Sequence, residues 1–315
     1  AESGHLPALL RHPRFKLVAV CDVRPERAAI LARKAGGIEA CHDYRPLLGR
    51  KDLDAVILAL HPEHSVNVAI DFLRNGKPVL DEKPLATTLK DGRRLAGVIT
   101  ETGVIYQIGF VFRYCNLVRK VAEIARRIGA PSVYRVAVYD ERLDRGNPNH
   151  RNYIQQIFRN SSAITHEGSH VVDYFGQWNS SRITRVHAVA LKTTKDFKGP
   201  NLWCANLHAA DGSVLQMEIG WLLPDLPPCA LSITGPGGVL QLRLFEGVGE
   251  FRHDGRIEMI RMEPLKQDWK GQLDAFAKAM DQGKPVGARV GDGLRALAIT
   301  QACEQSARSG KIVGI

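Results

Sequence analysis

No stretch of the 315 residues is both long and apolar enough to span a bilayer, so a membrane-embedded helical protein is not expected. Cysteine is scarce and scattered: Cys21, Cys41, Cys115, Cys204, Cys229 and Cys303 include no Cys-x-x-Cys pair. That usage suggests buried, reduced thiols and a cytoplasmic protein. Net charge is +10 and the pI about 9.4, yet no block of like charges and no basic stretch interleaved with aromatics occurs. Nucleic acid is therefore not the expected partner. An anionic cofactor, and an acidic sugar, fit the charge better. Internal repeats and low-complexity segments are also missing.

What is present is an alternation. Lys16–Cys21 is an apolar, branched run that ends at Asp22, and 24–35 has helical composition. Ala55–Leu60 is a second continuous apolar run, followed by a helical pattern over 66–75 that Gly76 closes. Pro78–Leu80, a helix over 87–102 and Val104–Ile108 continue the series. Strands that are apolar throughout, each followed by a helix, mean a parallel sheet covered on both faces. The expected fold is an α/β, doubly wound, Rossmann-like nucleotide-binding domain.

Within it, Val79-Leu80-Asp81-Glu82-Lys83-Pro84 puts an ammonium group where a strand ends. Open α/β sheets bind ligands at the carboxyl ends of their strands. Pro84 stops the strand and biases Lys83 toward an extended backbone. A lysine held there and partly desolvated can serve in proton transfer. A solvated lysine in a strand-to-helix loop is the plainer alternative. Asp22, at another strand end, is positioned to accept bonds from an adenosine ribose, and its charge disfavours a 2′-phosphate. The reading is therefore NAD rather than NADP. Arg24 would stack on adenine or attract that phosphate. Capping of the following helix is the structural alternative for Asp22.

Asp22, Glu82-Lys83-Pro84, Gly109-Phe110 with Arg113, and Gly168-Ser169-His170-Val171-Val172-Asp173 occur in an order and spacing that resemble the Gfo/Idh/MocA oxidoreductases. The ending fits as well, with 276–283, Pro285, Asp292-Gly293 and Ser306-Ala307 to Gly310. The resemblance covers nearly the whole chain. It implies hydride transfer between a nicotinamide cofactor and a hydroxyl of a sugar, polyol or sugar acid. It implies cofactor contacts from Asp22, Arg24, His61, Pro62, His64, Glu82, Lys83 and Arg113. Lys83 and His170 would handle the hydroxyl proton, and Glu82 would position the ribose or Lys83.

His166-Glu167-Gly168-Ser169-His170 also spells the zinc-protease string His-Glu-x-x-His. That motif needs an uninterrupted helix, which Gly168-Ser169 weakens, and no third ligand is evident. No metal is expected here, nor at His61 and His64, which lack a third ligand too. The resemblance instead implies one helix carrying two polar groups at i and i+4. His166 departs from it, because the family usually has Asp there. His166 would hold a proton, orient His170 or touch substrate. The polar segment from Asp140 to Tyr153, and Arg159 beyond it, suit recognition of a polyol or a carboxylate. Tyr153, Arg159, His166 and His170 are the candidate substrate contacts, against a solvated surface loop as the plain reading.

Two domains are expected, 1–112 for the dinucleotide and 113–315 for substrate and oligomer contacts. In the second, a helix over 114–127 precedes strands at 132–139, 182–191, 202–209, 214–221, 230–234 and 239–244, with a turn at Gly235-Pro236-Gly237-Gly238. Such a run implies an open, mainly antiparallel sheet. The resemblance gives that sheet to a homodimer or homotetramer contact, in which Trp203 and Trp221 would sit if they are not core. A Rossmann domain opens with a strand and a Gly-x-Gly-x-x-Gly/Ala turn. This chain opens instead on Ala1-Glu2-Ser3-Gly4-His5, like the family's first helix, so the dinucleotide domain reads as incomplete. Two further functions stay open: a glycosidase that uses held NAD for transient oxidation, and a non-catalytic sugar-binding or sensor protein.

Overall fold

A computed structural model describes residue 2 and residues 4–315, and the side chains of all of these but Asn160. The chain forms two compact units. The first comprises Ala1–Ala86, Lys90–Val111 and Asp268–Gly291; the second comprises Thr87–Leu89, Phe112–Gln267 and Asp292–Ile315. The expected single cut after residue 112 needs correction. Asp268–Gly291 returns to the first unit, because a helix there supplies apolar residues to its core.

In the first unit, helix α1 (His5–Arg11) precedes strand β1 (Ala19–Cys21), α2 (Pro25–Lys34) and β2 (Glu39–Cys41). Then come β3 (Val56–Leu58), α3 (Pro62–Arg74), β4 (Val79–Asp81), α4 (Leu89–Thr102) and β5 (Tyr106–Ile108). Helices α2 and α3 each begin with proline, carry Glu26 or Glu63 in the first turn, and end on basic residues. Proline's fixed φ suits that first position, and the charges oppose the helix dipole.

All the strands pair in parallel, but in two ladders: β1 with β2, and β3 with β4 with β5. Among the described residues, no strand pairing joins the β1–β2 ladder to the β3–β4–β5 ladder. Burial follows this division. Every residue of β4 and β5 is buried, whereas β1 and most of β3 are half-buried. Leu9, Leu80, Ile105, Leu273, Phe276 and Ala279 form a core cluster, with Phe15, Leu17 and Ile57 against it. Burying each of its larger side chains is worth about 1.5–3 kcal/mol.

The second unit opens with α5 (Asn116–Ile128), whose buried residues Leu117, Val118, Val121, Ala122, Ile124, Ala125 and Ile128 recur at helical spacing. Gly129, at φ 76°, ends it. Next are β6 (Val133–Asp140), α6 (Pro148–Asn160), α7 (Ala163–His166), α8 (Gly168–Trp178), β7 (Ile183–Leu191), β8 (Leu202–Ala209) and β9 (Val214–Trp221). Strands β10 (Ala230–Gly235), β11 (Gly238–Arg243), β12 (Val248–His253) and β13 (Arg256–Arg261) follow. The chain adds α9 (Trp269–Gln282) to the first unit, then finishes with α10 (Val290–Ser309) and β14 (Val313–Gly314).

Nine strands form one sheet in the order β13-β12-β11-β10-β6-β9-β8-β7-β14, antiparallel except for β6 with β9. One face is apolar: Tyr134, Val136, Leu215, Ile219, Leu231 and Ile233 are buried, and α5 and α8 pack against it. Trp203 and Trp221 are buried within this unit, so the core reading of both replaces the interface reading. Strands β12 and β13 were not expected, and the polar segment around Tyr153 and Arg159 is helical rather than a loop. Asn147 caps that helix by accepting from the N–H groups of Asn149 and His150.

Candidate active site

Four of the parallel strands end in the residues that the sequence singled out. After β1, Asp22 accepts from the backbone N–H of Arg24 at 2.9 Å and stays half-buried. Its other role, capping a helix, is limited to that turn, since Arg24 is the residue that precedes α2. After β3, His61 occupies the position before α3 without a side-chain capping bond, and Pro62 starts the helix. His61 and His64 are both exposed, and His64 lies 3.3 Å from Glu63.

After β4 comes Glu82, and it is held from three directions. His5 Nε2 donates to Glu82 Oε1 at 2.8 Å, and the backbone N–H of Lys83 reaches Oε2 at 3.3 Å. On the third side is Gly109, just after β5, where a Cβ would stand 2.9 Å from Oε1. Glycine there leaves room for the carboxylate, which a side chain would push aside. His5 is itself buried, edge-on to Trp269 with ring centroids 4.5 Å apart. Lys83 is half-buried and Pro84 fully buried. A strand end packed in this way restricts where the ammonium can point.

Beneath Glu82, Asp81 is buried and accepts from Ser65 Oγ on α3 and from Tyr106 at 3.1 Å on β5. Burial pushes its carboxyl up to about 7, against the pull of those two donors. This network joins the start of α3 to the end of β4.

The second unit by itself holds another group. Arg113 forks onto Asp173, with Nε at 3.2 Å and Nη2 also bonded, and its Nη1 reaches Asp292 at 2.9 Å. Burial pushes Asp173 up to about 6, against the pull of the Arg113 guanidinium. Arg113 therefore ties α8 to α10, a task the sequence reading gave to no residue. Three of its nitrogens are engaged in this way. His170, on α8 one turn before Asp173, is buried with its ring edge-on to Phe112 at 4.9 Å.

His166 and His170 do not share one uninterrupted helix. α7 ends at His166, Glu167 intervenes, and α8 begins at Gly168. That break corrects the expected i, i+4 face. Gly168 lies against Ile164 and Met217, and a Cβ there would come within 3.1 Å of Ile164. His166 is half-buried, with its ring 5.1 Å from Trp221. Helix α7 is anchored by Glu304, which accepts from Ser162 at 2.5 Å and from Thr165 at 3.0 Å. Tyr153 and Arg159 lie on exposed turns of α6. Among the described residues, no group of three or more His, Cys, Asp or Glu is arranged to hold a metal ion.

Sequence reasoning missed His5, Asp81 and Asp292. Asp81 stood inside the singled-out strand, and a carboxyl in an otherwise apolar strand was a signal for it. His5 and Asp292 reach partners 77 and 179 residues away, which no local pattern reveals.

Residues 1–110 match the model of the oxidoreductase family with an NAD-binding Rossmann fold. An inositol 2-dehydrogenase of Rubrobacter xylanophilus is 26% identical over 311 residues, covering 95% of this chain and 86% of that protein. An oxidoreductase from Agrobacterium radiobacter, solved in complex with NAD+, L-tartaric acid and magnesium, superimposes with a TM-score of 0.85. It is 16% identical, over 98% of this chain and 94% of that one. A 3-ketoreductase from Actinomadura kijaniata, in complex with TDP-benzene and NADP, has a TM-score of 0.78 at 22% identity, over 96% and 93%. With its nucleotide-binding segment matched and its relatives aligned along nearly its whole length, the chain is similar to the Gfo/Idh/MocA oxidoreductases.

Proposed function

We propose that the protein is an NAD-dependent dehydrogenase of a sugar, polyol or sugar acid. The observation that carries this is the placement of Asp22, His61, Glu82-Lys83 and Gly109 after the carboxyl ends of β1, β3, β4 and β5 respectively. Open α/β sheets bind nucleotides along that edge. The name of the Rubrobacter relative adds the substrate class, a cyclic polyol.

The groups present suit a dinucleotide. Asp22 is half-buried and presents a carboxylate to a ribose diol, with Arg24 two residues on. His61, Pro62 and His64 line the next strand end, and Glu82 lies at the one after it. A nicotinamide held there would supply the hydride chemistry. The proton of the reacting hydroxyl is the chain's task, shared by Lys83 and His170, with Glu82 holding the Lys83 backbone. Tyr153, Arg159 and His166 are the proposed substrate contacts. Arg113, which holds Asp173 one turn from His170, is the remaining proposed cofactor contact. We take the working form to be a homodimer or homotetramer through the sheet face that carries Arg135, Gln216, Gln241 and Met259. The cytoplasm fits its six unbridged cysteines. No helix among the described residues is long and apolar enough to cross a membrane.

The test is calorimetric titration with NAD and NADP, then a polyol panel that includes inositols, read as NADH absorbance. Tighter NAD binding and substrate-dependent NADH support the reading. Asp22→Ser should narrow the preference for NAD by removing the charge that repels a 2′-phosphate. Clearly tighter NADP binding by the wild type contradicts the cofactor assignment. Release of sugar from a glycoside without net NADH replaces the dehydrogenase with a glycosidase.

A further inference from the structure

Cys21 and Cys41 end β1 and β2, and the parallel register pairs them directly. Neighbouring strands run about 4.8 Å apart, and paired residues project from the same side of the sheet. A disulfide needs α-carbons roughly 4.4–6.8 Å apart, so the ladder itself supplies the separation. The Cys41 thiol donates to the Val20 carbonyl at 3.3 Å, on the strand that carries Cys21. Both cysteines are half-buried, so small reagents reach them. Of the other four cysteines, Cys115, Cys229 and Cys303 are buried, and Cys204 faces Val189 and Glu218 in its ladders.

We propose that Cys21 and Cys41 form a reversible disulfide, a redox-controlled modification site at the carboxyl edge of the parallel strands. Each thiol gives up one proton and one electron as the S–S bond forms. Hydrogen peroxide accepts both and becomes two molecules of water. A small disulfide such as oxidised glutathione accepts them by exchange, leaving two free glutathione thiols. Burial pushes the Cys21 thiol up to about 12 and raises Cys41 as well. Thiolate is the attacking species, so bridging is slow at neutral pH and quickens as pH rises.

The location gives the bridge a consequence. Asp22 follows Cys21, and its backbone N–H donates to the Cys41 carbonyl at 3.1 Å. Joining the side chains respaces these strand ends and moves Asp22 with them. This consequence rests on Asp22 as a ribose contact; the bridge itself does not.

The full chain is incubated with oxidised glutathione at about pH 8, digested without reduction and mapped by mass spectrometry. The expected product joins the Cys21 and Cys41 peptides, lighter by two hydrogen atoms, and dithiothreitol reverses it. Cys21→Ser and Cys41→Ser each abolish it. Glutathione adducts with no bridge, or a bridge found only in denatured chain, overturn the proposal. NAD titration of bridged and reduced protein should differ by about tenfold, within the usual range of coupling between sites. Cys41→Ser should be indifferent to oxidant. Equal affinities overturn the link to Asp22. A reduced protein that fails to bind NAD counts against the cofactor reading alone, because the peptide map is independent of it.

Discussion

The hydroxyl of Tyr106 donates to Asp81 across 3.1 Å, from β5 to β4, inside the nucleotide-binding unit. Ser65 on α3 donates to the other oxygen. A carboxyl sealed in this way keeps its proton longer than it does in the unfolded chain. Burial raises it from 3.8 to about 7. Its contribution to stability is therefore complete at low pH and is lost as pH rises through that interval. Relative to Asp81→Asn, the wild type should lose on the order of 4 kcal/mol between pH 4 and pH 7. Urea unfolding of the two proteins across that range measures the difference. Parallel pH profiles would remove Asp81 as the source.

Lys83→Ala should lower kcat by roughly 10²–10⁴, the range of a positioned acid or base. The basis is its half-buried place between the held Glu82 and the buried Pro84. Steady-state kinetics on the substrate found by the panel decide it. A near-normal kcat sinks the assignment.

His170→Ala should harm turnover more than His166→Ala. His170 is buried against Phe112 one turn from the anchored Asp173, whereas His166 ends a separate short helix. The reverse order, or one zinc per chain by metal analysis, would overturn this ranking and reopen the metal reading.

Arg113→Ala should cost about 3–5 kcal/mol of stability, because it leaves a buried carboxylate without its counter-ion. Asp173 is 2% exposed at its side chain and Asp292 18%. Arg113→Lys should recover only part, since an ammonium cannot fork onto two carboxylates. Chemical denaturation reads both variants, and a loss below about 1 kcal/mol would mark the cluster as an ordinary surface pair.

The doubly wound half was legible because its strands are apolar throughout, a pattern that parallel sheets impose. The site residues at strand ends followed, since ligand binding at that edge is a property of the topology. β2 escaped notice because Glu39-Ala40-Cys41 is too short and polar to register as a strand. Strands β12 and β13, the last two at one end of the sheet, alternate charges such as Glu250, Arg252, Arg256 and Glu258 with apolar residues, which disguises them. Asn147-Pro148 carried a helix-start signal for α6, but the polar side chains beyond it suggested a loop. The break at Glu167 was half-visible: Gly168 weakened the helix on paper, and its close approach to Ile164 shows what packing that glycine permits. No local signal pointed to His5 meeting Glu82, or Arg113 meeting Asp292. Such contacts exist only once distant segments have packed.

The division of the parallel strands into a pair and a trio sets where this unit breathes. A two-stranded ladder is marginal by itself, while buried three-stranded pairing resists opening. Amide hydrogens of β1 and β2 will exchange with solvent through local opening at low free energy, and those of β4 and β5 only through nearly global unfolding. Asp22 stands on the softer portion, and Lys83 on the harder one. A dinucleotide that grips Asp22 would slow exchange in β1 and β2 first, spending part of its binding energy on ordering them.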